Sequence, residues 1–99
     1  MLFDVQVTTA GSATVVTVIG DVDLASLPRL AAALDDYSTG DRVLDLRSVD
    51  WFDPICFGVL LTADLRARRQ GGSLVVKAAG AVAALLEETR LDSVLEIEG

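Results

Sequence analysis

Hydrophobic and polar residues alternate at the start of the chain, which is the two-residue period of a strand with one buried face. Phe3, Val5 and Val7 occupy one side of this pattern, and polar residues occupy the other. After the turn at 10–12, a β-branched run from Thr14 to Ile19 predicts a second strand. The two strands are expected to pair as an antiparallel hairpin.

Helical and strand patterns then alternate along the rest of the chain. Helices are predicted from Ser26, the expected N-cap, to Tyr37, from about Pro54 to Gln70, and from Ala81 to Thr89. Residues 20–23 are expected to end the second strand. Because helical crossovers return the chain to a parallel neighbour, the order predicts an α/β fold with a mixed sheet. The predicted strands are Leu2–Thr8, Thr14–Ile19, Val43–Leu46, Ser73–Lys77 and Ser93–Ile97.

The longest predicted helix has a start signal and a stop signal in the sequence. The carboxylate of Asp53 can accept hydrogen bonds from free N–H groups of the first turn, and Pro54 suits the first helical position, where its missing N–H costs nothing. Gly71-Gly72 marks the end, since glycine readily adopts the left-handed conformation that closes helices. The sequence therefore predicts a strand-to-helix corner at Asp53.

The segment LDLRSVDWFDPICFGVLL, followed by a helix and RRQGGSLVV, resembles the STAS domain of anti-sigma-factor antagonists. The pattern of that family is a strand, an Asp-Ser-Ser-Gly-Leu-Gly-Val turn and a helix that ends in Gly-Gly. The upstream segment Gly20 to Leu34, GDVDLASLPRLAAAL, resembles the family's Gly-Glu-Leu-Asp segment. The resemblance implies a single STAS domain over residues 1–99, with a mixed sheet of four to five strands and helices packed against it.

The resemblance also implies a function, which is regulatory binding rather than catalysis. The expected partner is an anti-sigma factor or another kinase-fold regulator, so that the protein would control sigma-factor-dependent transcription. In phosphorylatable relatives, the second serine of the motif takes phosphate from the kinase and the partner is released. Pro54 and Ile55 occupy the two serine positions here, Cys56 the first glycine and Gly58 the second. Because Ile55 has no hydroxyl group, binding is not expected to be switched by phosphorylation at this position.

Residues around this turn are the candidate partner-binding surface. On a helical wheel, Phe57, Leu61, Asp64 and Arg68 fall outside the predicted buried arc, and exposed apolar residues beside charges often mark binding sites. The alternative for the two apolar residues is burial beneath a neighbouring element. One member of Trp51-Phe52 is expected to point into the core and the other to staple onto the helix or anchor a partner. The candidate set is Asp21, Asp23, Trp51, Asp53, Pro54, Ile55, Cys56, Phe57, Gly58 and Leu61.

Two other chemistries are weaker interpretations of the same region. Cys56 lies near a predicted helix N-terminus, where the dipole can lower a thiol pKa, which permits a redox sensor. A small buried hydrophobic residue is the simpler interpretation, because the chain has no second cysteine and no histidine. Asp21, Asp23, Asp50 and Asp53 could meet at one rim of the sheet, but their spacing matches no known metal loop. Neither a metal nor a cofactor is predicted.

Composition and charge narrow the classes of function that remain. A net charge of −7 disfavours direct nucleic-acid binding. No apolar run reaches the roughly 18 residues of a membrane span, and MLFDVQVTT lacks the basic start of a signal peptide. A cytoplasmic protein without membrane insertion is therefore expected. The sequence offers no plausible pair of a general base and a nucleophile, so an enzyme is not predicted. The alternative function is a soluble STAS subunit of a membrane-associated lipid transporter, in which the same surface docks the ATPase. A homodimer is left open.

Overall fold

The computed structural model describes residues 3–35 and 41–99 as one mixed sheet with helices packed against it. The strand order is β1-β2-β3-β4-β5, in which β1 is antiparallel to β2 and every other neighbouring pair is parallel. The predicted α/β class and mixed sheet are confirmed. The elements are β1 (Phe3–Ala10), β2 (Ala13–Val22), α1 (Leu27–Asp35), β3 (Arg42–Phe52), α2 (Gly58–Arg69), β4 (Leu74–Lys77), α3 (Gly80–Glu88) and β5 (Glu96–Glu98).

One face of the sheet forms the hydrophobic core. Val16, Leu44 and Val76 are register partners across the three central strands and are fully buried. This row exists because alternate residues of each strand point to the same face, and all three strands are in register. The helices cover this face with Leu30 and Leu34 from α1, Leu60, Ala63 and Ala67 from α2, and Val82 and Leu86 from α3.

The third strand is much longer than the predicted segment Val43–Leu46. β3 continues to Phe52, through polar residues that lie on the solvent side of the strand. In this extension Val49 and Phe52 are buried and the residues between them are exposed, and β2 remains paired with it through two register shifts, so the polar residues did not mark a loop. The extension carries β3 as far as the turn at Asp53.

The second strand also continues beyond its predicted end at Ile19. Gly20 was expected to break it, but β2 runs to Val22. Gly20 has φ +99°, which glycine adopts without steric cost, and the register with β3 shifts on both sides of it. The glycine therefore bends the strand and does not end it.

Other boundaries differ by a few residues. A single 3₁₀ turn, Pro54–Cys56, precedes α2, which therefore begins at Gly58 rather than at the proline. A second 3₁₀ turn, Leu91–Ser93, occupies the start of the predicted last strand and shortens β5. The predicted first residue of β1, Leu2, and the predicted end of α1 at Tyr37 lie outside the described residues. α3 is displaced by one residue from its prediction at each end.

Among the described residues, no helix combines the length and the apolar character that crossing a membrane requires.

Candidate partner-binding site

The two longest parallel strands end at the same edge of the sheet. Asp21 pairs with Trp51, and Val22 pairs with Phe52. The backbone N–H of Asp53 then donates to the carbonyl of Val22 at 2.8 Å, which fixes the turn after β3 beside the turn after β2. We call residues 21–26 together with residues 50–57 the strand-end rim. The rim contains nearly all of the candidate surface, because both extended strands deliver their turns to it.

The turn at Asp53 has the predicted cap. The Asp53 carboxylate accepts a hydrogen bond from the N–H of Ile55 at 3.1 Å, and Pro54 occupies the first position. The N–H groups of Cys56 and Phe57 donate to the carbonyls of Asp53 and Pro54 at 2.8 and 3.1 Å. The cap thus closes a tight 3₁₀ turn in front of α2. This turn points Ile55 into solvent and Cys56 into the core.

Large apolar side chains are exposed on the rim. Ile55 is 66% exposed, more than any other large hydrophobic residue in the described part of the chain, and Trp51 is 51% exposed. Phe52 is buried, so the prediction that Trp51 and Phe52 divide between surface and core is confirmed. Leu24, at the tip of the turn after β2, is 61% exposed and was not in the candidate set. Its signal was an apolar residue inside an otherwise polar turn.

Of the two alternatives for Phe57, exposure is wrong and burial is correct. Phe57 is buried and stacks on Phe52, with ring centroids 5.1 Å apart. Asp64, also predicted outside the buried arc, is buried too, and its carboxylate pairs with Arg68 Nε at 3.1 Å. Val59, placed at the centre of that arc, is only half-buried. The rest of the predicted arc is correct, because Cys56, Leu60, Ala63 and Ala67 are buried, so the buried stripe of α2 is only shifted toward Asp64. Phe57 precedes α2 at the end of the 3₁₀ turn, where the helical wheel does not apply.

Cys56 is fully buried at the end of the 3₁₀ turn. Burial raises the pKa of its thiol, and the carboxylates of Asp53 and Asp23 raise it further. This direction is opposite to the helix-terminal lowering of the pKa that the sequence allowed. A neutral, buried thiol fits the interpretation of Cys56 as a small hydrophobic core residue.

The turn after β2 is held by reciprocal hydrogen bonds between Asp23 and Ser26. The N–H of Ser26 donates to Asp23 Oδ1 at 3.0 Å, and the N–H of Asp23 donates to Ser26 Oγ at 3.0 Å. The Ser26 hydroxyl also donates to the carbonyl of Asp21 at 3.1 Å. The N–H of Ser26 is the main cause of the lowered pKa of Asp23. Ser26 therefore precedes α1 as predicted, but its side chain fixes the turn that presents Leu24.

The candidate residues divide into a presented set and a buried set. Leu61 is 38% exposed on α2, in agreement with its predicted place outside the buried arc. Cys56 and Phe57 are the only buried members and support the rim from below. In residues 3–35 and 41–99, no three acidic or thiol side chains converge as a metal site requires. The exposed or half-exposed members are Asp21, Asp23, Trp51, Asp53, Pro54, Ile55, Gly58 and Leu61.

Solved structures share this architecture. An anti-sigma factor antagonist from Mycobacterium paratuberculosis superimposes with a TM-score of 0.88 at 23% identity, over 97% of this chain and 85% of that one. A candidate anti-sigma factor antagonist from Thermotoga maritima gives 0.84 at 15% identity, over 94% and 84%. The phosphorylated form of the Bacillus cell fate determinant SpoIIAA gives 0.70 at 11% identity, over 99% and 92%. At these identities the likeness shows a shared fold.

The sequence itself matches one family. No curated protein sequence matches the chain, but a family model described as the Mlab STAS domain matches residues 5–96. The match extends from β1 into the last strand and includes the whole strand-end rim. The chain therefore belongs to the STAS domain family.

Proposed function

We propose that this protein is a cytoplasmic, non-catalytic regulator that binds an anti-sigma factor, or a related kinase-fold regulator, through the strand-end rim. The exposure of Leu24, Trp51 and Ile55 at one edge carries the proposal. Large apolar side chains that are bordered by polar groups are typical anchors of protein interfaces. Here they are presented by turns that backbone and carboxylate hydrogen bonds hold in place. The likeness in fold to anti-sigma factor antagonists supports this choice of partner.

Binding in this proposal is independent of phosphorylation at the motif. Ile55 is the side chain at the position where phosphorylatable relatives carry the modified serine, and it has no hydroxyl group. No residue from 50 to 60 is serine, threonine or tyrosine. Incubation with ATP and a cognate anti-sigma kinase should leave this segment unmodified while the complex still forms. Mass spectrometry that located phosphate within it would contradict this part of the proposal. Ile55→Ser should restore phosphorylation if the kinase recognises the rest of the turn.

A second candidate function uses the same surface. In it, the protein is a STAS subunit of a lipid-transporter complex, and the rim docks the ATPase of that complex. The candidate stays open because the family model that matches is described by the name Mlab and not as an anti-sigma factor antagonist. Both candidates require an exposed apolar rim, so the geometry of the rim does not separate them.

Binding experiments with purified partners separate the two functions. The protein should bind a kinase-fold anti-sigma factor of its own organism in isothermal titration calorimetry, and it should not bind that organism's transporter ATPases. Ile55→Arg should weaken the complex by about 30-fold, the scale of an interface anchor. Leu65→Arg is the matched control, because Leu65 is an exposed leucine on α2 away from the rim. Binding to a transporter ATPase alone would replace the first function with the second.

A further inference from the structure

An apolar groove lies beside the strand-end rim, between the end of β3 and α3. Its volume is about 220 Å³. Trp51 forms part of one wall with its exposed ring, and the buried Phe52 contributes to the lining. The groove is therefore continuous with the rim through Trp51. Its lining residues are Asp50, Trp51, Phe52, Ala81, Val82, Ala84, Leu85 and Glu88.

α3 supplies the other wall through a second apolar stripe. Its core stripe consists of Val82 and Leu86, which are buried. Ala81, Ala84 and Leu85 follow one another at helical spacing on an adjacent stripe. Leu85 is half-buried and packs partly against the core, whereas Ala81 and Ala84 are exposed and are not part of the core cluster. The second stripe, with its small alanine side chains, leaves room for an external group above the helix.

Charge and size identify what fits there. Among the lining residues the only charged ones are Asp50 on β3 and Glu88 on α3, so both walls carry a carboxylate and neither carries a cation. The volume is below the range of about 300–1,000 Å³ usual for small-molecule sites, and the lining offers few polar groups to orient a metabolite. One large apolar side chain would fill the space between the apolar walls, and a flanking lysine or arginine would pair with the carboxylates.

We infer that the groove receives a leucine, methionine or aromatic side chain from a basic segment of the partner protein that binds the strand-end rim. This inference rests on the proposed function and names the chemistry of the partner's contacting segment. The groove would supply a desolvated pocket of the kind that anchors an interface, with Trp51 shared between the groove and the rim.

A second copy of this chain is a poorer occupant. Two copies would bring together chains that each carry a net charge of −7. The last turn of α2 carries Arg66, Arg68 and Arg69, and two of these arginines are already paired, Arg66 with Asp35 and Arg68 with Asp64. The like charges would oppose the contact, whereas a basic partner segment would be attracted.

Trp51 gives a direct readout, because it is the only tryptophan in the chain. Two tryptophan-free helical peptides serve as probes. Both carry the same leucine pair, flanked by lysine in one peptide and by glutamate in the other. The lysine peptide should shift Trp51 emission to shorter wavelength and saturate, and the glutamate peptide should not. Equal binding of both peptides, or binding of neither, would overturn the inference.

Matched variants locate the binding. Ala84→Arg places a long side chain in the groove and should weaken binding of the lysine peptide by at least about 30-fold. Ala32→Arg is the control, since Ala32 is an exposed alanine on α1, another nine-residue helix. Glu88→Lys should weaken binding, and the adjacent Glu87→Lys should not. Unchanged affinity of the Ala84→Arg variant would overturn the inference.

Three further outcomes separate this inference from the rest of the account. A dimer in sedimentation that Ala84→Arg dissociates would assign the groove to a second copy and overturn the inference. If Ile55→Arg abolishes partner binding while Ala84→Arg leaves it unchanged, the groove fails and the proposed function stands. If neither variant affects the partner, both fail.

Discussion

The two ends of α2 begin and end the helix with different residues and different hydrogen bonds. At the N-terminal end, the Asp53 carboxylate caps the 3₁₀ turn that precedes the helix, the N-cap residue Phe57 makes no side-chain cap hydrogen bond, and Ile55 is left exposed at the tip of the turn. At the C-terminal end, the N–H of Gly72 donates to the carbonyl of Ala67 at 2.9 Å, and that of Gly71 to Arg68 at 3.1 Å. These two bonds form a Schellman motif, with φ of +79° at Gly71.

The comparison separates residues that begin or end the helix from a residue that is exposed without a role in either. The C-terminal end consists of glycines and exposed polar residues, which are explained by helix termination and by ion pairs within the chain, Arg66 with Asp35 and Arg68 with Asp64. The N-terminal end is capped through the 3₁₀ turn, and the side chain of Ile55 takes no part in that cap. Ile55 lies in the strand-end rim with the exposed Trp51 and Leu24, and a group of exposed apolar side chains, unlike a single one, is typical of a binding surface.

The largest expected effect lies just inside the N-terminal end. Phe57→Ala should lower the free energy of unfolding by about 3–5 kcal/mol, because it removes a buried ring that stacks on Phe52. Ile55→Ala, two residues earlier and exposed, should change it by less than about 0.5 kcal/mol. Urea denaturation of both variants measures the contrast. Equal destabilisation would remove the distinction between the core side and the solvent side of this turn.

The rate at which Cys56 is chemically labelled tests the same contrast between the core side and the solvent side of the turn. Its thiol is buried and its pKa is raised by that burial, so the reactive thiolate is scarce at neutral pH. Labelling with a disulfide reagent at pH 7 should be at least about 100-fold slower in the native protein than in urea, where exposure is complete. Rapid native labelling would restore the redox-sensor alternative.

The role of Gly71 in ending α2 can be tested by adding one methyl group at that position. Gly71→Ala places a side chain in the left-handed region and should cost about 1 kcal/mol of stability. Gly58→Ala is the matched control, because a Cβ at Gly58 meets no atom within 4 Å and alanine favours the helix. It should leave the protein as stable or slightly more stable. A destabilising Gly58→Ala together with a neutral Gly71→Ala would reverse this account of the two ends.

The smallest expected effect is a pH dependence that comes from two carboxylates outside α2, Asp23 in the turn after β2 and Asp45 in β3. The N–H of Ser26 lowers the pKa of Asp23, and hydrogen bonds from Arg47 lower that of Asp45. Both carboxylates therefore stabilise the fold fully above the unfolded-state pKa near 3.8, and the stabilisation is lost as pH falls through the lower folded-state pKa.

Substitution by asparagine removes this titration. Asp23→Asn should flatten the fall in stability between about pH 5 and about pH 2, measured by urea unfolding. Asp50→Asn, at an exposed strand residue, is the control. An unchanged slope in the Asp23→Asn variant would mean that its carboxylate is not preferentially stabilised in the folded turn.

Local chemistry was predictable from the sequence because it depends on neighbouring residues alone. The Asp53 cap, Pro54 after it and the closing glycine at position 71 each follow from one residue type and its preferred backbone. The mixed sheet followed from the order of the helical and strand periods. These features do not require knowledge of what packs against them.

Other features depend on tertiary packing and were therefore missed or misplaced. Phe57 is buried because Phe52, from the far end of β3, lies against it. β3 continues through Asp50 because β2 pairs with it over that length, which no local pattern records. The groove exists only because α3 packs beside the end of β3. Exposure of Leu24 likewise became visible only once Asp23 and Ser26 had fixed its turn.

The most direct test of the central claim measures affinity and stability on the same preparations. The claim is that Ile55 binds the partner while Phe57 holds the fold. For Ile55→Ala, we expect a lower affinity for the kinase-fold partner and an unchanged urea midpoint. For Phe57→Ala, we expect a lower midpoint and unchanged affinity of the folded fraction. Unchanged affinity in Ile55→Ala, or lost affinity in folded Phe57→Ala, would contradict the claim.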